Sequence, residues 1–128
     1  MPAQLNHTIV WSSNPAESAR FLTEMLGLPP PVRFGPLHVV ELDNGASLDF
    51  AKTEETIQSQ HYAFLIGEDD FDAVLAHIRE KALEHWADPS QRRAGQINHN
   101  DGGRGVYFRG PDGHFLEVIT RPYGSTAG

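Results

Sequence analysis

Two histidines and two carboxylates stand out in this chain for their spacing. His7 lies near the start of the β-branched run "LNHTIVW" (5–11), and His61 opens a second such run, "HYAFLI" (61–66). Asp49 follows the turn glycine Gly45 by four residues, and Glu117 follows the turn glycine Gly113 by the same interval. The histidines are 54 apart and the acids 68 apart, and the difference of 14 is about the size of a polar loop at 88–103. Imidazole and carboxylate are the donors of a divalent-metal site. With no cysteine in the chain, any metal must sit on His, Asp or Glu.

The elements that must position these groups repeat. "LNHTIVW" alternates and reads as a strand. A helix follows: Asn14 suits the N-cap, Pro15 the first helical position, and Glu17 the capping-box position. Phe21, Leu22, Met25 and Leu26 recur at helical spacing, and Gly27 stops the helix before the prolines at 29–31. Strands are predicted around 32–34, 37–42 and 46–51, the last two joined by the turn "DNG". The polar stretch 52–60 reads as a linker. The order then restarts with a strand at 61–66 and an amphipathic helix over 68–83. That helix has Phe71, Val74, Leu75, Ile78 and Ala82 on one face and acids in its first turn. A short strand near 84–87, the loop 88–103, and a hairpin of 104–109 with 114–120 complete the second half.

The fold class is therefore α+β, with two tandem βαβββ modules forming a curved mixed sheet around a central metal site. One domain spans 1–128, module one covers about 4–52 and module two about 60–121, and the tail 122–128 is expected to fray. If the halves pack pseudo-symmetrically, each offers one imidazole from its first strand and one carboxylate from its last.

Composition narrows the partners. A formal net charge of −7 disfavours nucleic acid, which wants a basic face. No apolar run nears the roughly 20 residues of a membrane span, and the N-terminus lacks the pattern of a secretory signal, so a cytoplasmic location is expected.

Each group also has a plainer explanation. A lone histidine is more often a surface or satisfied group than a ligand, and a strand glutamate is usually turned to water. Matched placement in two halves weighs against that for His7 and His61. For Glu117, the face it shares with Phe115 and Ile119 would have to be wet yet carry two large apolar groups. The loop donors Asn98, Asn100 and Arg104 could equally tie the loop together.

The paired modules, the two first-strand histidines, the last-strand glutamate and "GRGVYFRGPDGHFLEV" resemble the vicinal oxygen chelate superfamily, from about Leu5 to Tyr123. That superfamily takes in glyoxalases, bleomycin-resistance proteins and extradiol dioxygenases. "WADP", "INHNDGGRGVYF" and "RPYG" are similar to its ChaP-like oxygenase subgroup, associated with aromatic polyketide biosynthesis. The resemblance implies His7, His61 and Glu117 as metal ligands. Asp49 matches the position of a fourth, usually longer, carboxylate ligand and is that ligand, an acid behind the others, or a plain surface acid.

Two histidines and one carboxylate leave open positions on the metal, as in non-haem Fe(II) oxygenases. The resemblance thus implies a divalent metal, Fe2+ ahead of Mn2+, Zn2+ or Ni2+, and a catecholic or polycyclic aromatic substrate chelated through adjacent oxygens. Tyr107 and His99 are the candidate acid–base residues, and a homodimer is the expected assembly. The alternatives are a glyoxalase-type isomerase or lyase, a fosfomycin-type transferase, and a non-catalytic antibiotic-binding resistance protein.

Overall fold

The computed structural model describes residues 2–126 and divides into two compact units between Gln58 and Ser59. The first holds β1 (His7–Ser12), α1 (Pro15–Leu26), β2 (Val32–Phe34), β3 (Leu37–Glu41) and β4 (Ser47–Lys52). The second holds β5 (His61–Leu65), α2 (Glu68–Glu80), β6 (His85–Trp86), a 310 turn (Asn100–Gly102), β7 (Gly105–Arg109) and β8 (Phe115–Ile119). The mixed sheet expected from the sequence is, in its hydrogen-bonded ladders, two four-stranded sheets. Their orders are β1-β4-β3-β2 and β5-β8-β7-β6. In each, the first strand pairs in parallel with the last and the remaining pairs are antiparallel. The βαβββ repeat is therefore present in both units.

Helix α1 starts where the cap residues place it. The Asn14 side chain accepts from the Glu17 backbone N–H at 3.3 Å and donates to the Glu17 carboxylate at 3.2 Å, so Glu17 reaches the cap's side chain rather than its backbone. Gly27 closes the helix with φ 65°, a conformation that favours glycine. The buried face runs through Ala19, Leu22 and Met25 and packs on β3 and β4, with Val10, Val40, Leu48 and Phe50 beneath. Phe21 and Leu26, which share the helical spacing of Leu22 and Met25, are only half-buried.

Helix α2 is shorter than its periodicity predicts. Phe71, Val74, Leu75 and Ile78 are buried as expected, but the helix ends at Glu80, and Ala82 is exposed with φ 52°. The Ala82 N–H donates to the Arg79 carbonyl and the Leu83 N–H to that of Ile78, a Schellman-type closure around a left-handed alanine. The apolar face therefore stops one turn early.

In the second sheet, Val106, Phe108, Leu116 and Val118 are buried, each stabilising by roughly 1.5–3 kcal/mol. Arg104 ties the start of β7 to α2. Its guanidinium donates to the Glu68 and Asp72 carboxylates, both at 2.8 Å, and lies 4.5 Å from the Phe71 ring centre. Asn98 ties the loop, donating to the Ala87 carbonyl at 2.9 Å and accepting from the Asn100 N–H. Both residues thus serve the fold. No helix among the described residues is long and apolar enough to cross a membrane.

Candidate metal centre

Parallel pairing of β5 with β8 sets His61 opposite Phe115 and Ala63 opposite Glu117, so the imidazole and the carboxylate lie on one face, two residues apart along the ladder. On that face His61 and Ala63 of β5 are exposed, whereas the part around Glu117 is dry. Glu117 is 1% exposed, and Tyr107, its partner on β7, is buried too. A carboxylate so enclosed must have its oxygens satisfied, because an unpaired buried charge is very costly. Glu117 Oε1 lies 3.0 Å from His61 Nε2, and Oε2 accepts from the Tyr123 hydroxyl.

The far side of His61 fixes its tautomer. Nδ1 lies 3.0 Å from the Phe115 carbonyl, which can only accept, so the proton on Nδ1 is committed there. Nε2 is left facing the carboxylate, and two acceptor-type atoms so close need a proton or a cation between them. Two donors each about 2.1 Å from a metal ion, at a right angle, are about 3.0 Å apart. A backbone carbonyl on the distal nitrogen is also the usual support of a ligating histidine. The His61–Glu117 pair therefore fits two neighbouring metal donors.

Aromatic rings wall this face. Tyr107 stacks on Phe115 with centroids 5.3 Å apart and on His61 at 6.0 Å, and Trp86 lies 6.0 Å from Phe115. Arg109 spans the edge, its guanidinium 5.4 Å from the Phe115 ring centre. Because Tyr123 donates to Glu117, the 2.9 Å contact between the tyrosine hydroxyls runs from Tyr107 to Tyr123. Burial pushes the Tyr107 hydroxyl up from the ordinary tyrosine range. Burial of the Tyr123 hydroxyl, then its bond to Glu117, raise it further still. Both phenols hold their protons at neutral pH.

The structure thus brings His61, Glu117 and Tyr107 together within the second unit. His7, at the start of β1, is exposed, and its Nδ1 lies 2.7 Å from the Asn6 side-chain oxygen. Asp49, on β4, is buried and accepts from the Ser47 hydroxyl at 2.7 Å. His99 caps the 310 turn and is exposed. Among the described residues, no three His, Cys, Asp or Glu side chains form a metal-binding group. Sequence reasoning missed Tyr123. It belongs to the segment 122–128 expected to fray, yet up to residue 126 that segment is turned and bonded, while 127 and 128 lie outside the described residues. The signal available was "RPYG", an aromatic inside a Pro–Gly turn just after the glutamate strand.

The profile of the Glyoxalase/Bleomycin resistance protein/Dioxygenase superfamily matches residues 4–118. Two solved oxidases are closely similar. ChaP-H1 is 55% identical with a TM-score of 0.95, covering 97% of this chain and 100% of its own. ChaP-H2 is 56% identical with a TM-score of 0.96, covering 98% and 99%. The glutathione transferase FosA of Serratia marcescens is 26% identical over 124 residues, 92% of this chain and 81% of FosA. A fosfomycin resistance protein, FosX of Listeria monocytogenes, solved as a mutant with Mn(II) and a dihydroxypropylphosphonic acid, shares the fold. Its TM-score is 0.72 at 14% identity, with 100% of both chains covered. With its two βαβββ units and full-length likeness to oxidases, this chain belongs to the glyoxalase/bleomycin resistance/dioxygenase superfamily and is an enzyme of it.

Proposed function

We propose that the chain is a metal-dependent oxygenase acting on a catecholic or polycyclic aromatic substrate, in the manner of aromatic polyketide tailoring. The observation that carries this reading is the His61–Glu117 pair, whose donor atoms stand 3.0 Å apart with the distal nitrogen of His61 bonded to a carbonyl. His61 Nε2 and Glu117 Oε1 are two ligands of a divalent ion, with His7 as the third. Fe2+ suits this donor set, and Mn2+, Zn2+ or Ni2+ can take the same atoms. The Mn(II) of FosX and the oxidase relatives support the metal and the reaction class respectively. Asp49, shorter than the usual fourth ligand and already engaged by Ser47, stands outside the set.

When bound, the ion supplies open positions and Lewis acidity for adjacent substrate oxygens. The chain does the rest. Half-buried Phe115, backed by the buried Tyr107 and Trp86 rings, offers a ring to a flat aromatic, and Arg109 lies at its edge for an anionic substituent. The Tyr107 hydroxyl donates to Tyr123, which leaves its own oxygen able to accept a hydrogen bond from a substrate hydroxyl and so orient it. His99, exposed on the loop 88–103, is an acid–base group. The enzyme is read as a cytoplasmic homodimer. Exposed Ile9 and Trp11 on β1 and Leu65 on β5 offer apolar strand faces for a second copy.

The test is metal content of protein prepared anaerobically with iron, beside His7→Ala, His61→Ala and Glu117→Ala, followed by oxygen uptake with catechols. Near-stoichiometric iron, lost in all three variants, is expected. No metal after reconstitution sinks the reading. The likeness to FosA favours one alternative, a thiol transferase, which would need added thiol and no oxygen.

A further inference from the structure

We propose that Tyr123 is a positioning residue for Glu117, held in place by a latch between the C-terminal segment and Asp101. This rests on the reading of Glu117 as a metal ligand. Past β8 the chain doubles back. Ser125 N–H donates to the Pro122 carbonyl at 3.1 Å, and Gly124 takes φ 76°, so 122–125 form a turn that returns the Tyr123 hydroxyl to a residue six positions earlier. Two bonds to one carboxylate hold that turn. The Gly124 N–H donates to Asp101 Oδ2 at 3.2 Å, and the Thr126 hydroxyl donates to Asp101 Oδ1 at 2.9 Å.

Asp101 is itself fixed. It sits in the 310 turn with φ 57°, a left-handed conformation that Asp and Asn tolerate better than most residues. Beside it, Gly103 lies so close to β8's continuation that a Cβ there would meet Thr120 Oγ1 at 2.5 Å and Arg121 Cγ at 2.8 Å. The 310 turn and the returning segment are therefore in close contact on both sides of Tyr123.

The consequence falls on Glu117. Its Oε1 faces His61, and its Oε2 is held by the Tyr123 hydroxyl, which in turn accepts from Tyr107. The two bonds leave the carboxylate one orientation, with Oε1 offered beside His61 Nε2 and Oε2 withdrawn from ligation. Without Tyr123 the carboxylate can rotate, and the ligand pair loses its preset spacing. Outer hydrogen-bond partners of metal ligands typically contribute roughly 10–100-fold in affinity.

The experiment is anaerobic calorimetric titration of the full-length protein with Mn2+, comparing native protein with Tyr123→Phe, Asp101→Asn and Glu117→Gln, each checked for an unchanged metal-free melting temperature. Tyr123→Phe keeps the ring and removes the donor, and about tenfold weaker binding or more is expected. Asp101→Asn keeps the left-handed turn but can accept only one of the two latch bonds, so its affinity should fall in the same direction by less, although it does not touch Glu117. A Tyr123→Phe protein that binds within about twofold of native, while Glu117→Gln binds far more weakly, overturns the positioning role alone. Native affinity in Glu117→Gln overturns the ligand reading and this proposal with it.

Discussion

The two units place a histidine and a carboxylate at matching positions and treat them differently. On β1 and β4, His7 stands opposite Ser47, and Asp49 follows two residues on, opposite Ile9. On β5 and β8, His61 stands opposite Phe115, and Glu117 follows two residues on, opposite Ala63. The backbone is equivalent. In the second unit the imidazole and carboxylate meet; in the first, His7 bonds to Asn6 and Asp49 to Ser47. One methylene and one hydroxyl account for the difference. Ser47 satisfies Asp49 from two residues away on the same face, whereas the Phe115 side chain has no donor, so the longer Glu117 reaches His61 and Tyr123. Topology offers the same geometry twice, and side-chain length and local hydrogen bonding decide in which copy the carboxylate meets the imidazole.

Breaking the second unit's pair should have the largest effect. Glu117→Ala or His61→Ala is expected to reduce bound metal to background and abolish oxygen uptake, as read by metal analysis and an oxygen electrode. Asp49→Ala should retain both. Metal lost equally in Asp49→Ala would make the two units alike and return Asp49 to the ligand set.

The next test attacks the hydroxyl that distinguishes the first unit. Ser47→Ala removes the hydroxyl that donates to the buried Asp49 carboxylate. Depriving a buried acceptor of its partner costs about 1–3 kcal/mol, more for a charge, so the stability read from urea unfolding should fall by that amount while metal binding stays native. An unchanged midpoint would mean that Ser47 does not hold Asp49 in solution.

Much of this arrangement is legible in the sequence, for physical reasons that also mark where legibility stops. Asn14, Pro15 and Gly27 announce α1 because caps are local chemistry, and the equal four-residue offsets of Asp49 and Glu117 from their turn glycines reveal the repeat. The partner of His61 Nδ1 is not legible, since a backbone carbonyl leaves no signature in residue type. Tyr123 is hidden likewise. A segment rich in Gly, Ser and Thr reads as loose, and what orders it is a carboxylate more than 20 residues earlier.

That carboxylate gives a smaller, pH-dependent effect. The Thr126 hydroxyl, then the Gly124 N–H, hold Asp101 below the ordinary aspartate value. A depressed value in the folded chain means that the unfolded chain binds the proton more readily. The latch's contribution is therefore whole above the ordinary value of 3.8 and lost as pH falls through the depressed one. The Gly124 amide resonance should stay constant from neutral pH to about pH 4 and move only below it. The first unit, which has no part in this latch, should not follow. An amide that shifts between about pH 5 and 7 would assign the latch to another titrating group.

The smallest effect compares the two helix ends. Helix α1 closes on Gly27 at φ 65°, whereas α2 closes through Ala82 at φ 52° with the Leu83 N–H reaching back to Ile78 as the Leu28 N–H reaches back to Thr23. A Cβ in the left-handed region costs roughly 1–2 kcal/mol, and Ala82 is exposed, so its methyl group gains little packing in return. Ala82→Gly should then raise stability by about 1 kcal/mol, a few degrees in melting temperature, less the entropy that glycine adds to the unfolded chain. Gly27→Ala should do the reverse in the first unit, by a similar amount. If Ala82→Gly destabilises instead, the unfolded-state entropy outweighs the strain, and the two helix ends differ in sequence without differing in energy.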